Sequence, residues 1–106
     1  MKNKVQKIMS EKEYRASRVC RVIGNPTAYR IIKILGKSEM TPSQLSKKLK
    51  LSIFNVSNTL RHLREIDVVR YETKKNEKVY WLKEPTILKI LSELEKYTEK
   101  LKKIKK

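Results

Sequence analysis

The sequence predicts a mainly α-helical domain with one small β-hairpin, in the order α-α-α-α-β-β-α. Three observations support this fold class. Cap residues precede segments in which apolar residues recur every three or four positions, two runs of β-branched and aromatic residues flank a short polar turn, and the two glycines and three prolines fall at segment boundaries. The 106 residues allow one domain of ordinary size, so we expect no second domain and no deep substrate cleft.

The first two predicted helices meet at Gly24. A capping-box pattern at residues 10–13 begins the first helix, which extends to about residue 23. The Asn25-Pro26 pair begins the second helix, because asparagine caps well and proline is tolerated at the first helical position. This second helix is rich in isoleucine and leucine, which predicts the central helix of the core.

Two further helices follow, joined by a tight turn. Thr41-Pro42 opens a short helix over residues 42–49, and Ser52 caps a longer helix over about 53–66. Two short helices with a turn of three or four residues are typical of a helix-turn-helix. The apolar residues of the longer helix form one stripe at spacings of three, four and three: Ile53, Val56, Leu60 and Leu63.

The last part of the chain predicts a hairpin and a long helix. Residues 68–73 and 78–82 are β-rich and flank a polar turn over residues 74–77, which indicates a hairpin. Thr86, after a proline, caps a helix that reaches about residue 103. The apolar residues of this helix follow a coiled-coil spacing: Ile87, Ile90, Leu94, Tyr97, Leu101 and Ile104.

Positive charge is the strongest signal in the composition. The chain has 27 Lys+Arg against 11 Asp+Glu, a net charge of +16 that is spread along its length. Such a spread favours a polyanionic partner, although nucleic acid, an anionic membrane surface or solubility alone could explain it. No apolar run approaches the ~20 residues of a membrane span. The single cysteine excludes an internal disulfide and indicates an intracellular protein, which we expect in the cytoplasm, at the nucleoid.

The polar face of the predicted helix 53–66 carries residue types that read DNA bases. Asn can bond adenine, Arg can bond guanine, Ser can bond several base edges, and an exposed Phe can meet a thymine methyl group. In a helix-turn-helix, the N-terminal part of the second helix contacts bases. The best candidates are therefore Phe54, Asn55, Ser57, Asn58 and Arg61, and the predicted DNA-binding set also includes Ser52 and His62.

Lysines on either side of this helix are predicted to contact phosphates, which fix the register of a protein on DNA without carrying sequence information. Some precede the helix and others lie at the hairpin tip: Lys47, Lys48, Lys50, Lys74, Lys75 and Lys78. The alternative interpretation is an amphipathic helix whose polar face is merely solvated. The preceding short helix, the basic hairpin and the high charge make that alternative less favoured.

Five short motifs extend this interpretation. They are Gly24-Asn25-Pro26-Thr27, Ile31-Ile32-Lys33-Ile34-Leu35, Leu51-Ser52, Val56-Ser57-Asn58-Thr59-Leu60 and Val68-Val69. Through them, residues 20–82 resemble the ArsR/SmtB-type winged helix-turn-helix repressors. The resemblance implies operator binding by helix 53–66, the hairpin as wing, and a homodimer built from the first and last helices.

The coiled-coil spacing of the last helix also predicts a dimer, because a domain this small cannot cover such a stripe. A twofold dimer would place two recognition helices about one DNA turn, ~34 Å, apart. The alternative is that the last helix packs only on its own domain. The predicted interface residues are Val19, Ile87, Ile90, Leu91, Leu94, Tyr97 and Leu101.

The chain also departs from the family pattern. Asn58 and Thr59 stand where members usually have Arg and His, Asp67 replaces a glycine, and Ala28 replaces an arginine. Thr41 and Ser43 occupy the positions of the metal-binding Cys-x-Cys, and the last helix has no histidine. A soft metal such as zinc needs several thiolate or imidazole ligands, so we expect neither a metal site nor another cofactor.

Several functions remain open. The leading hypothesis is a dimeric, sequence-specific transcriptional regulator, with repression implied by the resemblance, and its effector is unknown. The alternative is an architectural chromosomal protein with little sequence preference. An enzyme is not expected, because the sequence has no paired carboxylates, nucleophile–base set or phosphate-binding glycine loop. Cys20 is either a thiol switch activated by Arg18 and Arg21 or, more commonly for such a residue, a small buried apolar side chain.

Overall fold

The computed structural model describes residues 8–105, and side chains through residue 102. Its elements follow the order that the sequence predicts, so the fold class is confirmed. Expectations for residues 1–7, and for the side chain of Ile104, lie outside the described residues. The elements are α1 (Glu11–Ile23), α2 (Pro26–Leu35), α3 (Pro42–Leu49), α4 (Ile53–Glu65), β1 (Val69–Lys74), β2 (Glu77–Leu82) and α5 (Thr86–Lys105).

Local capping explains where the helices begin. At α1, the Ser10 hydroxyl accepts the Glu13 N–H while the Glu13 carboxylate accepts the Ser10 N–H, both at 3.0 Å. The bond from the Ser10 N–H stabilises the ionised carboxylate and lowers the pKa of Glu13. The prediction that Thr86 is the N-cap of α5 is wrong by one residue. Thr86 is the first helical residue, and its N–H and hydroxyl donate to the Glu84 carboxylate, because an anion is favoured at a helix N-terminus.

The core lies where α2, α3, α4 and the hairpin meet. Five of the ten residues of α2 are buried, which confirms α2 as the central helix. Ile53 differs from the expectation: it is 52% exposed, because it is the first residue of α4 and lies at the end of the packed stripe. The most deeply buried side chains are Ile31, Ile32, Leu45, Val56, Leu60, Leu63, Val69 and Leu91.

The hairpin is longer, and its turn tighter, than the sequence predicts. Lys74 pairs with Glu77, so the turn contains only Lys75 and Asn76, both with positive φ (50° and 67°). Positive φ at both central residues is typical of the type I′ turn, whose twist matches that of the strands. Residue Met40 adds a bridge to β2, because its N–H and C=O bond the backbone of Tyr80 at 3.1 and 2.8 Å. The wing is thereby fixed to the segment before α3.

The chain leaves α4 through Asp67, which has φ 65°. Few residues other than glycine tolerate this left-handed conformation, and aspartate is one of them. This conformation explains why the resembling family has glycine there and why Asp67 is an acceptable departure. Its carboxylate bonds the Lys83 ammonium and lies 3.7 Å from Arg70, and these groups lower the pKa of Asp67.

Helix α5 packs on the domain through its first turns only. Ile87 and Leu91 are buried, and a Cβ at Gly36 would lie 2.9 Å from Leu88, which shows how closely the end of α2 approaches α5. Beyond Leu91, every residue through 102 is exposed. Among the described residues, no helix combines the length and apolar character needed to cross a lipid bilayer.

Candidate nucleic-acid interface

The orientation of α4 is fixed by three side chains. Val56, Leu60 and Leu63 are completely buried, and they hold the opposite side of the helix toward solvent. Of the predicted base readers on that side, Phe54 is 81% exposed and Asn58 is half-buried. The remaining predicted readers are exposed: Ser52, Asn55, Ser57, Arg61 and His62.

The turn before α4 is held by Ser46. Its hydroxyl donates to the Leu51 carbonyl at 2.5 Å, and its own carbonyl accepts the Leu51 N–H at 3.1 Å. Lys50 ends α3 in the left-handed conformation, with φ 57°. Ser52 then caps α4 by accepting the Asn55 N–H at 3.0 Å, which leaves its hydroxyl proton free to donate. The turn therefore fixes the angle between α3 and α4 and presents one hydroxyl donor.

Two predicted base readers bond each other. The Arg61 guanidinium donates to the Asn58 side-chain oxygen at 2.6 Å. This oxygen is an acceptor that lies one helical turn before Arg61, so it holds the flexible arginine against α4. A side chain held in advance loses less rotamer freedom when it binds. The remaining guanidinium N–H groups stay available, and a fork of N–H donors suits bidentate bonding to an acceptor pair.

The predicted phosphate contacts are not equivalent in the structure. Lys47, Lys48 and Lys50 are exposed at the end of α3 and just after it. At the wing, Lys74 lies 3.3 Å from both Glu39 and Glu72, and these carboxylates raise its pKa and offset its charge. The pairing with Glu39 could not be predicted from sequence, because Glu39 lies 35 residues before Lys74.

The other two wing lysines differ from Lys74. The Lys78 ammonium lies 4.9 Å from the centroid of the Tyr71 ring, which is the geometry of a cation–π contact. Tyr71 also packs on Tyr80, with ring centroids 5.1 Å apart, so both rings belong to the packing of the wing. Lys75 is exposed at the turn itself. The wing tip therefore presents Lys75 most openly.

Sequence reasoning missed a groove beside α4. The groove has a volume of about 450 Å³ and lies between α1, the start of α2 and one flank of α4. Arg18 and Arg21 line it from α1, where the sequence had indicated a role for them only as neighbours of Cys20. Their spacing of three residues places them on one side of α1, but only the tertiary structure shows that this side meets α4. The groove is lined by Arg18, Arg21, Val22, Asn25, Ala28, Asn55, Asn58, Thr59 and His62.

Cys20 does not lie where its commoner interpretation places it. The side chain is exposed, because α1 packs on the core through Val19, Val22 and Ile23.

Within residues 8–105, no three His, Cys, Asp or Glu side chains lie together so that they could hold a metal ion. Two of the predicted interface residues, Ile87 and Leu91, are buried in the core of the protomer, at 6% and 0% exposure.

Comparisons with known proteins agree with this geometry. Residues 23–72, which run from the end of α1 into the wing, match a family model described as a helix-turn-helix domain. No curated protein matches the sequence. Several solved structures share the fold across most of the chain, and three of them are informative.

The transcriptional regulator HlyU from Vibrio vulnificus is 25% identical, with a TM-score of 0.68 over 83% of this chain and 95% of its own. The homodimeric winged helix-turn-helix domain of Mb0332 from Mycobacterium bovis, a possible ArsR-family regulator, is 12% identical, with a TM-score of 0.74 over 87% and 89%. The antimony-specific transcriptional repressor AntR is 22% identical, with a TM-score of 0.75 over 91% and 87%.

HlyU and AntR are described as transcriptional regulators, and Mb0332 as a possible one. The match at residues 23–72 covers the turn between α3 and α4, and the structural likeness covers the terminal helices as well. Residues 23–72 thus form a helix-turn-helix domain, and the chain has the winged helix-turn-helix fold of these structures.

Proposed function

We propose that the protein is a homodimeric, sequence-specific transcriptional repressor that reads the major groove of double-stranded DNA with α4. The observation that carries the proposal is the orientation of α4: its buried stripe turns a face of amide, hydroxyl and guanidinium groups outward, next to exposed lysines. These groups match the donors and acceptors on base edges, and the lysines match the phosphates beside them.

Within this face, Arg61 and Phe54 have the most distinct roles. Arg61, held by Asn58, would donate to a guanine O6 and N7 pair. Phe54 exposes an apolar ring at the N-terminal end of α4, where helix-turn-helix proteins approach bases, and would contact a thymine methyl group. The exposure of so large an apolar side chain has no explanation in the packing of the protomer.

A homodimer would cover the exposed apolar side of α5. The residues Ile90, Leu94, Tyr97 and Leu101 recur at helical spacing and are between 40% and 59% exposed. A second copy is the occupant that fits this stripe, because a twofold interface is self-complementary and Mb0332 is described as homodimeric. Two α4 helices would then lie about one DNA turn, ~34 Å, apart. Repression is supported by the family resemblance and by the description of AntR as a repressor.

Selection from randomised DNA, followed by gel-shift titration at two salt concentrations, tests this function. We expect an inverted repeat with about 10 bp between half-site centres, bound about 10³-fold more tightly than random DNA. About 8–10 phosphate contacts would give a log–log salt slope of about −7 to −9. A steep slope without a motif would favour an architectural DNA-binding protein, which the spread charge of +16 also suits. No binding at low salt would contradict both functions.

A further inference from the structure

The groove between α1, α2 and α4 combines cations with no compensating acid. Its lining includes Arg18 and Arg21 but no aspartate or glutamate. Among the described residues, neither arginine lies within 4.0 Å of a carboxylate, whereas Arg15 of the same helix pairs with Glu11 at 3.3 Å. Two unpaired arginines one turn apart repel each other. Arg18 also borders a second pocket that Glu65 and Asp67 line, but it forms no salt bridge with either carboxylate. The charge of both arginines is therefore available to an external anion.

The start of α2 adds to the positive potential of this groove. Asn25 and Ala28 line it, and Asn25 is the N-cap of α2, with its side chain bonded to the Ala28 N–H at 3.1 Å. The N-terminal end of a helix carries partial positive charge, which favours anions close to it. Because α2 is anchored in the core by five buried residues, this end is rigid. The groove thus combines the charges of two arginines with the positive end of one helix.

The other wall of the groove belongs to the proposed recognition helix. Asn55, Asn58 and His62 of α4 line it, and Asn58 is the residue that holds Arg61. When a helix lies in a major groove about 12 Å wide, the phosphates of the two strands border it on both sides. The exposed lysines at the end of α3 precede α4 in the chain. The groove lies along one flank of α4, and its other walls are formed by α1 and the start of α2. A strand of phosphates beside α4 would therefore meet the arginines of α1.

We infer that Arg18 and Arg21 bind backbone phosphates next to the bases that α4 reads, so that α1 is a DNA-contacting helix as well as a terminal one. This inference rests on the proposed function. The ligand is a phosphodiester, for which arginine offers several N–H donors to the phosphate oxygens. A phosphate on a small ligand has the same chemistry, and the experiment below separates the two sources.

The test compares salt dependence between matched variants of the full chain. Fluorescence anisotropy measures the Kd for a labelled duplex with the selected site, and for a random duplex, from about 0.05 to 0.3 M NaCl. Arg18→Gln/Arg21→Gln removes the two groove charges. The control, Lys12→Gln/Arg15→Gln, removes two charges from exposed positions of the same helix outside the groove. Arg18→Lys/Arg21→Lys keeps the charge, and circular dichroism confirms that each variant is folded.

We expect R18Q/R21Q to reduce the magnitude of the salt slope by about 2 per bound protomer, because each lost phosphate contact releases about 0.9 counterion fewer. The affinity for both duplexes falls by a similar factor, about tenfold or more at 0.1 M salt, since phosphate contacts do not read sequence. The control variant, Lys12→Gln/Arg15→Gln, changes the log–log salt slope by less than about 1. The lysine variant retains most of the wild-type slope.

Three results would overturn the inference. If R18Q/R21Q and the control both have the salt slope of the wild-type chain, and that chain binds DNA, α1 does not contact phosphates and the proposed function stands. If inorganic phosphate at constant ionic strength raises the Tm of the wild-type chain but not of R18Q/R21Q, with equal slopes, the groove holds a free phosphate instead. If the wild-type chain binds no DNA, the inference and the proposed function both fail.

Discussion

Helices α4 and α5 have similar sequence patterns and opposite surroundings. Each has apolar residues at helical spacing along one side. In α4 this side lies against the core, and Val56, Leu60 and Leu63 are completely buried. In α5 only the first turns reach the core, and Leu94 and Tyr97 remain about half exposed. The polar side of α4 is therefore exposed, whereas α5 exposes its apolar side.

This difference indicates two kinds of partner. A helix that exposes amides, hydroxyls and a guanidinium group offers hydrogen bonds, which a polar ligand such as DNA can satisfy. A helix that exposes a continuous apolar stripe gains free energy only when another apolar surface covers it. The same amphipathic pattern thus favours DNA binding in α4 and self-association in α5, and the tertiary context decides between them.

We expect the largest effect on stability when a leucine in the apolar stripe of α4 is truncated to alanine, compared with the same truncation in α5. Leu60→Ala in α4 leaves a cavity in a packed core and should lower the free energy of unfolding by about 3 kcal/mol, within the range of 2–5 kcal/mol known for buried leucine. Leu94→Ala in α5 should lower it by less than about 1 kcal/mol at low protein concentration, because a partly exposed side chain loses little burial.

Urea denaturation at two protein concentrations checks this comparison. The loss for Leu60→Ala should be the same at both concentrations, whereas the loss for Leu94→Ala should increase at the higher concentration, where the dimer is populated. If both variants lose the same free energy of unfolding at both protein concentrations, α5 packs on its own domain.

The second effect concerns assembly. Leu94→Glu places a charge in the middle of the exposed stripe of α5 and should weaken the dimer by about 100-fold, close to 3 kcal/mol, because an unpaired charge is costly inside an apolar interface. Ser92→Glu adds the same charge to an exposed position of the same helix and is the control. Sedimentation equilibrium measures both. A Leu94→Glu chain with the dimer mass of wild type would rule out this stripe as the interface.

The parts of the fold that could be predicted from sequence depend on local interactions. Ser10, Asn25 and Thr41 each bond an N–H three residues later, so their role as caps is set by neighbours in the chain. The exposed face of α4 could also be predicted, because a stripe with this spacing fixes the helix rotation once it is buried. Such signals need no knowledge of distant residues.

The remaining features depend on contacts between distant segments. Periodicity cannot show at which turn α5 leaves the domain, and so it assigned Ile87 and Leu91 to an interface rather than to the core. In the same way, the exposure of Cys20 and the pairing of Lys74 with Glu39 follow from how elements pack. Arg18 became a candidate only when α1 was seen beside α4.

A smaller effect would sharpen the role assigned to α4. Arg61→Ala should reduce the affinity for the selected site by about tenfold, or ~1.4 kcal/mol, and relax the preference at one base pair of each half-site. Asn58→Ala should reduce affinity less, since it frees Arg61 without removing it. Competition with singly substituted duplexes measures the preference at each position. If Arg61→Ala weakens all duplexes equally, its contact is with a phosphate, as expected for the exposed Lys47.

The smallest effect concerns a polar cluster that connects α5 to α2. The Tyr29 hydroxyl donates to the Glu95 carboxylate at 2.5 Å, and Lys33 lies 3.0 Å from the same carboxylate. The bond to Glu95 raises the pKa of Tyr29 to about 12 and lowers the pKa of Glu95. Because the pKa of Tyr29 is raised on folding, its stabilising effect is complete below pH 10 and disappears as the pH rises from about 10 to about 12.

The effect of Glu95 has the opposite sign, because its pKa is lowered on folding. Its contribution is present above pH 4.5 and disappears as the pH falls through the lowered pKa. Tyr29→Phe should therefore be slightly less stable than wild type at neutral pH, and the difference should shrink toward both extremes. Absorbance titration should show that Tyr29→Phe lacks a phenol that titrates near pH 12. In the Glu95→Gln variant, the pKa of Tyr29 should return toward 10. If Tyr29→Phe instead removes a phenol that titrates near 10, the bond between Tyr29 and Glu95 is absent in solution, and α5 is held mainly by apolar contacts such as those of Ile87 and Leu91.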